Sequence, residues 1–217
     1  MNRKQKQVYW AVGIVLLLLI VDQLVKVYVK THFALGEAVH VFGLDWWQLK
    51  FIENDGMAFG MELGPKLFLT LFRIIASCAG AWLICRMIRR GVSHGLLLTC
   101  AAILAGALGN IVDCMFYGLV FSPSTFDSVA SWVGFGQGYG SFMQGRVVDM
   151  FYFPLFSFDW PTWVPFVGGE PFEFFSALFN VADSCLTCGV FSLLFFYRKE
   201  LDGHFNAHGG EEVTPQP

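Results

Sequence analysis

Ionisable side chains within apolar stretches are the residues of this sequence best placed to do chemistry. They are Asp22, Lys26, Arg73, Asp113 and Asp183, and each has mostly hydrophobic neighbours. A charged side chain in a lipid environment is costly, so each one is a candidate functional residue. For the carboxyl groups the chemistry is either a proton relay across a membrane or acid–base chemistry at a single site.

Two of the aspartates have an amide partner at a fixed spacing. Asparagine precedes aspartate by three residues in both Asn110-Ile-Val-Asp113 and Asn180-Val-Ala-Asp183. Residues three apart lie on one face of a helix. The amide there can hydrogen-bond its neighbouring carboxylate or the backbone of a substrate. The repeated N-x-x-D spacing therefore favours a functional role for both segments.

Hydropathy indicates that membrane-spanning helices position these residues. Hydrophobic residues make up 55% of the 217-residue chain and charged residues only 14%, against roughly 25% charged in a typical soluble domain. A spanning helix needs about 20 mostly apolar residues. Four stretches qualify, at about 8–29, 65–88, 95–120 and 174–197. We predict an all-α membrane bundle of four transmembrane helices in a single domain, and the net charge of −3 argues against a nucleic-acid partner.

Basic residues predict the orientation of the spans, because cytoplasmic loops carry an excess of Lys and Arg. They lie before the first span, between the second and third, and after the fourth: Arg3, Lys4, Lys6, Arg86, Arg89, Arg90, Arg198 and Lys199. Lys50 and Arg146 are the only Lys or Arg residues in the long loops at about 31–64 and 121–173. Both termini should therefore be cytoplasmic, and both long loops should face outward.

The predicted depths place the acidic residues at one level of the membrane. At about 1.5 Å of helix rise per residue, Asp22, Asp113 and Asp183 all fall in the outer leaflet. Asp149 lies in the outer loop shortly before span four. A proton path would distribute its carboxyl groups through the whole thickness of the bilayer. A cluster at one depth is instead typical of a reaction site.

Structural interpretations of the same residues stay open at this stage. Asp22 and Lys26, four residues apart, form a satisfied structural pair as readily as a catalytic one. Asp113, near the end of its span, can reach interfacial water or fix packing. Arg73 can extend to the outer headgroups. Asp149 alone in a loop is unremarkable.

The outer loops have local character of their own. The segment FGLDWWQLKFIEN at 42–54 is rich in aromatic and β-branched residues, which predicts an extended piece at the membrane surface. Residues 118–146 are rich in Gly, Ser and aromatics and predict a flexible or turn-rich loop. The polar tail at about 202–217 is expected to be disordered.

Five short segments, in order along the chain, resemble the motifs of the bacterial lipoprotein signal peptidases, the signal peptidase type II family of membrane aspartyl peptidases. They are VDQLVK at 21–26, FIENDGMAFG at 51–60, GALGNIVD at 106–113, GRVVDMF at 145–151 and FNVADS at 179–184. Each segment is short, but five in order from the first span to the last make a specific signal.

The resemblance implies four spans with a small β-rich extracytoplasmic cradle, in the cytoplasmic (inner) membrane of a bacterium. It implies removal of the signal peptide from diacylglyceryl-modified prolipoproteins, with the cut before the lipidated Cys at the periplasmic face. It also implies contact with membrane lipid and inhibition by globomycin-type cyclic peptides. We expect a monomer without a cofactor, and the five histidines show no metal-ligand spacing.

The family's catalytic pair falls on the aspartates of G-x-V-V-D and F-N-x-A-D, which here are Asp149 and Asp183. Its supporting and substrate-binding positions fall on Asp22, Lys26, Asn54, Gly56, Asn110, Asp113, Arg146, Asn180 and Ala182. Two neighbouring carboxylates cannot both ionise cheaply, so such a pair shares one proton. The ionised group can then take a proton from water while the protonated group hydrogen-bonds the scissile carbonyl.

This sequence departs from the family pattern in two places. The third motif normally ends in Asp-Arg, whereas Asp113 is followed here by Cys114. Arg73 and Arg146 are the candidates to replace the missing cation. The interval between the third and fourth motifs is also long, so an insert at about 118–144 is expected to add an outer lid or surface element.

Other functional classes make different predictions. The G-x-S-x-G at 91–95 has no preceding strand, so it does not fit a nucleophile elbow. A proton- or ion-coupled transporter would use Asp22, Asp113 and Asp183 as a relay, although the single depth argues against it. A non-catalytic membrane scaffold would tolerate loss of Asp149 or Asp183, which distinguishes it from a peptidase.

Overall fold

A computed structural model describes residues 2–55 and 66–206 of the chain. Four helices in these ranges are long and apolar enough to cross a membrane: α1 (Arg3–His32), α2 (Lys66–Arg90), α3 (His94–Val120) and α4 (Val181–Gly203). The chain is therefore a multi-pass membrane protein, as the sequence predicted. Gly56 and the tail from 207 onward lie outside the described residues.

Side-chain caps define where three of the helices begin. The side chain of Asn2 accepts a hydrogen bond from the Gln5 backbone N (2.8 Å), and the Gln5 side chain accepts one from the Asn2 backbone N (2.9 Å). The Ser93 hydroxyl accepts from the Leu96 backbone N at the start of α3. Asn180 caps α4 in the same reciprocal way. These caps satisfy backbone N–H groups that have no partner within the helix.

The fourth helix begins at Val181, later than the predicted start near residue 174. The segment that the hydropathy assigned to its first turns forms strands instead, at Pro171–Phe174 and Leu178–Phe179. Asn180 is extended (φ −126°, ψ −176°) and caps the helix, so the helical hydrogen bonds cannot continue upstream. A run of apolar aromatic residues suits a buried strand as well as a span, and composition alone does not separate the two.

The last helix also extends further than the sequence indicated. The sequence predicts a disordered tail from about residue 202, but helical structure continues over Arg198–Asn206. A hydrogen-bond contact between Ser93 and Glu200 ties this end of α4 to the start of α3.

Two small antiparallel sheets lie between the helices in sequence. The strands are β1 (Ala38–His40), β2 (Gln48–Asn54), β3 (Val147–Tyr152), β4 (Phe156–Asp159), β5 (Pro171–Phe174) and β6 (Leu178–Phe179). The larger sheet has the order β1-β2-β3-β6, and β4 pairs with β5. The strand predicted within 42–54 is thus present as β2, and the predicted β-rich element is confirmed.

The close approach of α3 to its neighbours depends on two glycines. A Cβ atom on Gly106 would lie 2.4 Å from the Ala182 carbonyl oxygen on α4. A Cβ atom on Gly109 would lie 2.6 Å from the Asp22 carboxylate on α1. Neither distance is compatible with a side chain. The glycines therefore allow α1 and α4 to bring polar groups against α3.

The insert between α3 and β3 folds back along the end of α3. Backbone hydrogen bonds run from Val133 N to Val120 O (2.9 Å), from Gly140 N to Gly118 O (2.8 Å) and from Gly145 N to the Cys114 carbonyl (2.8 Å). The insert is therefore a turn-rich surface element packed on α3.

Candidate active site

Asp149 and Asp183 come from different elements and share one asparagine. Asp149 lies in β3, and Asp183 lies in the first turn of α4. The Asn180 side-chain Nδ2 donates to Asp149 Oδ1 at 2.7 Å. The Asn180 backbone N donates to Asp183 Oδ2 at 3.2 Å, and Asn180 Oδ1 accepts from the Asp183 backbone N at 3.0 Å. The cap of α4 therefore joins the two carboxyl groups.

Two more asparagines each donate to one of the two acids. Asn54 Nδ2, at the end of β2, lies 3.2 Å from Asp149 Oδ2. Asn110 Nδ2, on α3, lies 2.9 Å from Asp183 Oδ1. Amide donors from α3, α4 and β2 thus surround the pair, and the asparagines of both N-x-x-D segments are among them.

The environment of Asp149 changes its acidity. Burial, followed by the nearby charge of Asp183, raises the pKa of Asp149 to about 7. The hydrogen bonds from Asn54 and Asn180 act in the opposite direction. Near neutral pH this carboxyl is therefore poised between its protonated and ionised forms.

An open cleft of about 390 Å³ reaches Asp149. Its lining residues come from the end of β2, from β3 and from β6: Ile52, Glu53, Asn54, Asp55, Asp149 and Leu178. Asp149 itself is only 4% exposed. The cleft gives this buried acid contact with a space large enough for part of a peptide.

A fully buried lysine organises a second group of acids. Lys26 Nζ lies 2.9 Å from Asp22 Oδ2 and 2.8 Å from Asp113 Oδ2. It also donates to Asn110 Oδ1 at 2.8 Å. Asp113 has no solvent exposure, so the interpretation in which it reaches interfacial water is wrong. Paired charges at this burial compensate one another, since an isolated one would be very costly.

This buried group contacts the backbone next to each candidate catalytic acid. Asp22 Oδ1 accepts from the Ala182 backbone N at 2.9 Å, immediately before Asp183. Asp113 Oδ2 accepts from the Val148 backbone N at 3.4 Å, immediately before Asp149. The group around Lys26 thus fixes α4 and β3 relative to each other.

Gln23 belongs to the same buried group, although the sequence analysis did not single it out. Its Nε2 donates to Asp22 Oδ2 at 3.1 Å and to Asp113 Oδ1 at 2.9 Å. Its Oε1 accepts from the Tyr117 hydroxyl at 3.1 Å. Gln23 carries no charge, so the criterion of an ionisable side chain does not select it. Its position as a polar residue inside an apolar stretch is the feature that could have identified it.

Arg146, predicted as a supporting residue, contacts acids other than the pair. Its Nη1 lies 3.1 Å from Glu53 Oε2, and its Nε lies 3.4 Å from Asp55 Oδ1. Glu53 also pairs with Lys30, which donates to Ser124 at 3.1 Å. Sequence reasoning missed Lys30 and Glu53 because they lie near the ends of predicted elements, where charges are common.

The two candidates to replace the missing third-motif arginine behave differently. Arg73 Nη1, from α2, donates to Cys114 Sγ at 3.4 Å. Arg146 instead forms the ion pairs with Glu53 and Asp55. The cation that reaches Cys114 is therefore Arg73. Gly56, also predicted at the site, falls outside the described residues.

The four spans define the class as a multi-pass membrane protein, and a pair of carboxyl groups is joined at one end of the bundle. Two solved structures, both described as bacterial membrane enzymes, share this fold. One has a TM-score of 0.57 at 20% identity and covers 95% of this chain and 94% of its own. The other has a TM-score of 0.55 at 21% identity and covers 85% of this chain and 89% of its own.

Sequence comparisons identify the family. A family model described as signal peptidase (SPase) II matches residues 14–198. A lipoprotein signal peptidase of Porphyromonas gingivalis is 48% identical over 210 residues, 94% of this chain and 92% of the relative. One from Amoebophilus asiaticus is 31% identical over 214 residues, 96% of this chain and 86% of the relative. The chain belongs to the signal peptidase II family, and the resemblance drawn from its motifs is confirmed.

Proposed function

We propose that this chain is an aspartyl endopeptidase that removes the signal peptide from diacylglyceryl-modified prolipoproteins, cutting before the lipidated Cys. The observation that carries this proposal is the pair Asp149 and Asp183, joined by Asn180. The raised pKa of Asp149, about 7, lets the pair share a proton near neutral pH. The names of the relatives supply the substrate class.

The pair supplies both proton transfers that hydrolysis needs. Its ionised carboxylate takes a proton from water as the water oxygen bonds to the scissile carbonyl carbon. Its protonated carboxyl hydrogen-bonds the carbonyl oxygen and stabilises the developing charge. A proton then passes to the amide nitrogen, the C–N bond breaks, and the lipidated Cys is left with a free amine. The two roles belong to the pair as a unit.

The asparagines have different roles in this proposal. Asn180 is fully buried, and its Nδ2 has acceptors on Asp149, Asn110 and the Val148 carbonyl. It therefore positions the acids and does not face the substrate. Asn54 is only partly buried and borders the cleft. It is placed to hydrogen-bond the substrate backbone there.

The site's position suits a substrate that is anchored in lipid. The acid pair lies where α4 begins, at the end of the spans that carries the sheet. With the termini in the cytoplasm, this end is the periplasmic face of the inner membrane, and lipid surrounds the spans. Globomycin-type peptides would compete for the cleft beside Asp149. We expect the enzyme to act as a monomer, because each acid and each donor comes from one chain.

The proposal is tested by cleavage of a diacylglyceryl-prolipoprotein by purified protein in detergent, followed by gel shift. Asp149→Asn and Asp183→Asn each remove one acid and should lower the rate by at least about 100-fold, since acid–base groups contribute that much or more. Asp202→Asn, an exposed acid of α4 beside Arg198, is the matched control and should match wild type. Residual activity within tenfold of wild type in both site variants would contradict the pair. Absence of cleavage by folded wild type would contradict the peptidase itself.

A further inference from the structure

Arg73 differs from the other basic residues in the interior of the spans. Lys26 pairs with Asp22 and Asp113, and Lys30 pairs with a glutamate. In residues 2–55 and 66–206, Arg73 forms no ion pair with a carboxylate. A cation in a spanning helix normally faces a partner or marks a functional site.

The contact that Arg73 makes leaves most of its hydrogen-bonding capacity available. Its Nη1 donates to the Cys114 thiol at 3.4 Å, and a sulfur atom is a weak acceptor. A guanidinium carries five N–H donors in a planar fork. Arg73 is half-buried, so one edge remains open to a ligand that offers oxygen acceptors.

A second polar group on the same helix face is enclosed by the protein. Ser77 is four residues beyond Arg73, which places the two side chains one above the other on α2. The Ser77 side chain is 6% exposed, and its hydroxyl oxygen has no hydrogen-bond partner among the described residues. Because that oxygen has almost no accessible surface, only Arg73 of the two is open to a ligand.

Arg73 lies beside the reaction site, because it contacts Cys114. Cys114 directly follows Asp113, which contacts both Lys26 and the backbone next to Asp149. Arg73 is about 10 Å along α2 from the start of that helix at Lys66. It is therefore at about the depth at which the acids cluster. A ligand there would have to be lipid-compatible and rich in oxygen acceptors.

We propose that Arg73 binds an acyl ester carbonyl of the diacylglyceryl group, positioning the lipidated Cys for cleavage. The proposal rests on the function proposed above. An ester carbonyl is a neutral acceptor that is stable in a lipid environment, which suits a guanidinium that forms no ion pair with a carboxylate of the described residues. Phospholipids carry the same ester carbonyls, so the substrate and the bilayer are two sources of one chemistry. The position beside the acids favours the substrate.

The test compares an ester-linked diacylglyceryl substrate with an ether-linked dialkylglyceryl substrate, which lacks the carbonyl oxygen. Cleavage kinetics are measured in phospholipid-free detergent for wild type, Arg73→Met and Ser77→Ala. Wild type should show a KM about tenfold higher for the ether substrate, the effect expected for a hydrogen bond to a charged donor. Arg73→Met should show the same high KM for both substrates, with kcat little changed. Ser77→Ala changes an enclosed side chain on the same helix face and should keep the ester preference of wild type.

Matched variants separate binding from folding. Arg89→Met removes an exposed arginine near the other end of α2 and should behave as wild type on both substrates. Arg73→Lys keeps the charge and should recover part of the discrimination. An equal KM of wild type for the two substrates would overturn the proposal. So would an ester preference that survives in Arg73→Met, or one that appears only when phospholipid is added. Failure of wild type to cleave the ester substrate at all would instead count against the proposed function.

Discussion

At the scale of single residues, the proposed mechanism makes Asp149 the group that determines how cleavage responds to pH. The ordinary pKa of an aspartate is 3.8, and burial followed by the charge of Asp183 raises that of Asp149 to about 7. The carboxyl therefore keeps its proton up to about pH 7 and loses it above. If the pair must share one proton, cleavage should be sustained below this value and fall as the pH rises through it.

Asn54 provides a test of this pH dependence. Its hydrogen bond lowers the pKa of Asp149, so Asn54→Leu should move the alkaline limb of the pH–rate profile to higher pH. The profile of the gel-shift cleavage rate measures the shift independently of any loss in the maximal rate. Asp45→Asn changes a surface acid paired with His40 and should leave the limb in place. A limb that stays fixed in Asn54→Leu would show that Asp149 does not set it.

At the scale of elements, α3 depends on Gly109 to bring the acids together. An alanine Cβ there would lie 2.6 Å from Asp22 Oδ2 and 3.1 Å from the Ala182 Cβ. Gly109→Ala should therefore separate α1 and α4 from α3, lower the melting temperature and reduce cleavage at least tenfold. Gly13→Ala on α1 is the matched control, since nothing lies within 4 Å of its Cβ. It should be neutral or slightly stabilising, because alanine favours helix. Equal behaviour of the two variants would contradict the packing argument.

The contact between α1, β2 and the insert depends on Lys30. This fully buried ammonium pairs with Glu53, donates to Ser124 and lies 5.0 Å from the centre of the Tyr139 ring. Lys30→Met leaves the buried Glu53 short of one partner and should cost about 3–5 kcal/mol of unfolding free energy. Unfolding by denaturant in detergent micelles measures the loss. Lys50→Met is the control. Among the described residues, Lys50 forms no ion pair, and its ammonium group lies over the Tyr152 ring.

Part of the site could be predicted from charge in apolar sequence, because a charge buried in lipid is costly, whereas Asp149 was assigned only through the family resemblance. This principle identified Asp22, Lys26, Asp113 and Asp183, and the structure brings all four to one region. It could not identify Gln23, whose amide is uncharged, nor the shared role of Asn180, which depends on a contact with a distant strand. Local spacing predicts which groups share a helix face, but long-range pairing is decided by tertiary packing.

The boundaries of the elements were less predictable than their existence. The four spanning helices and the strand that leads into the second motif appear as expected. The start of α4 does not, because the aromatic residues of 171–179 satisfy the hydropathy of a span while forming strands. The insert's path along α3 relies on backbone hydrogen bonds between residues that are distant in sequence, and such bonds leave no periodic pattern in the sequence.

At the scale of the whole molecule, the basic residues predict which side of the membrane each end occupies. Four spans return the chain to the side from which it started, and the arginines at the end of α2 predict that this side is cytoplasmic. A phosphatase that is active only outside the cytoplasm should be inactive when fused after Gly203. The same phosphatase should be active when inserted after Trp163, between β4 and β5. The reverse pattern would invert the orientation and place the acid pair on the cytoplasmic side.

Different interactions hold the helices together at the two ends of the bundle. At the end opposite the acid pair, Gln7 donates to the Val92 carbonyl at 2.8 Å. Glu200 accepts hydrogen bonds from the backbone and hydroxyl of Ser93 at 2.7 and 2.8 Å. These contacts join the first, third and fourth helices around one short turn. Substitutions there should change the stability of the bundle without changing its acid–base chemistry.

In the proposed mechanism, the reactivity of the site depends on the local order of the cap of α4. Asn180 ends the extended segment, begins the helix and holds both carboxyl groups. When the first helical turn frays, the two acids lose their common partner. The time that this turn spends closed therefore sets an upper limit on the fraction of molecules that can react. The opening and closing of the first turn of α4 therefore becomes a factor in the turnover rate of the enzyme.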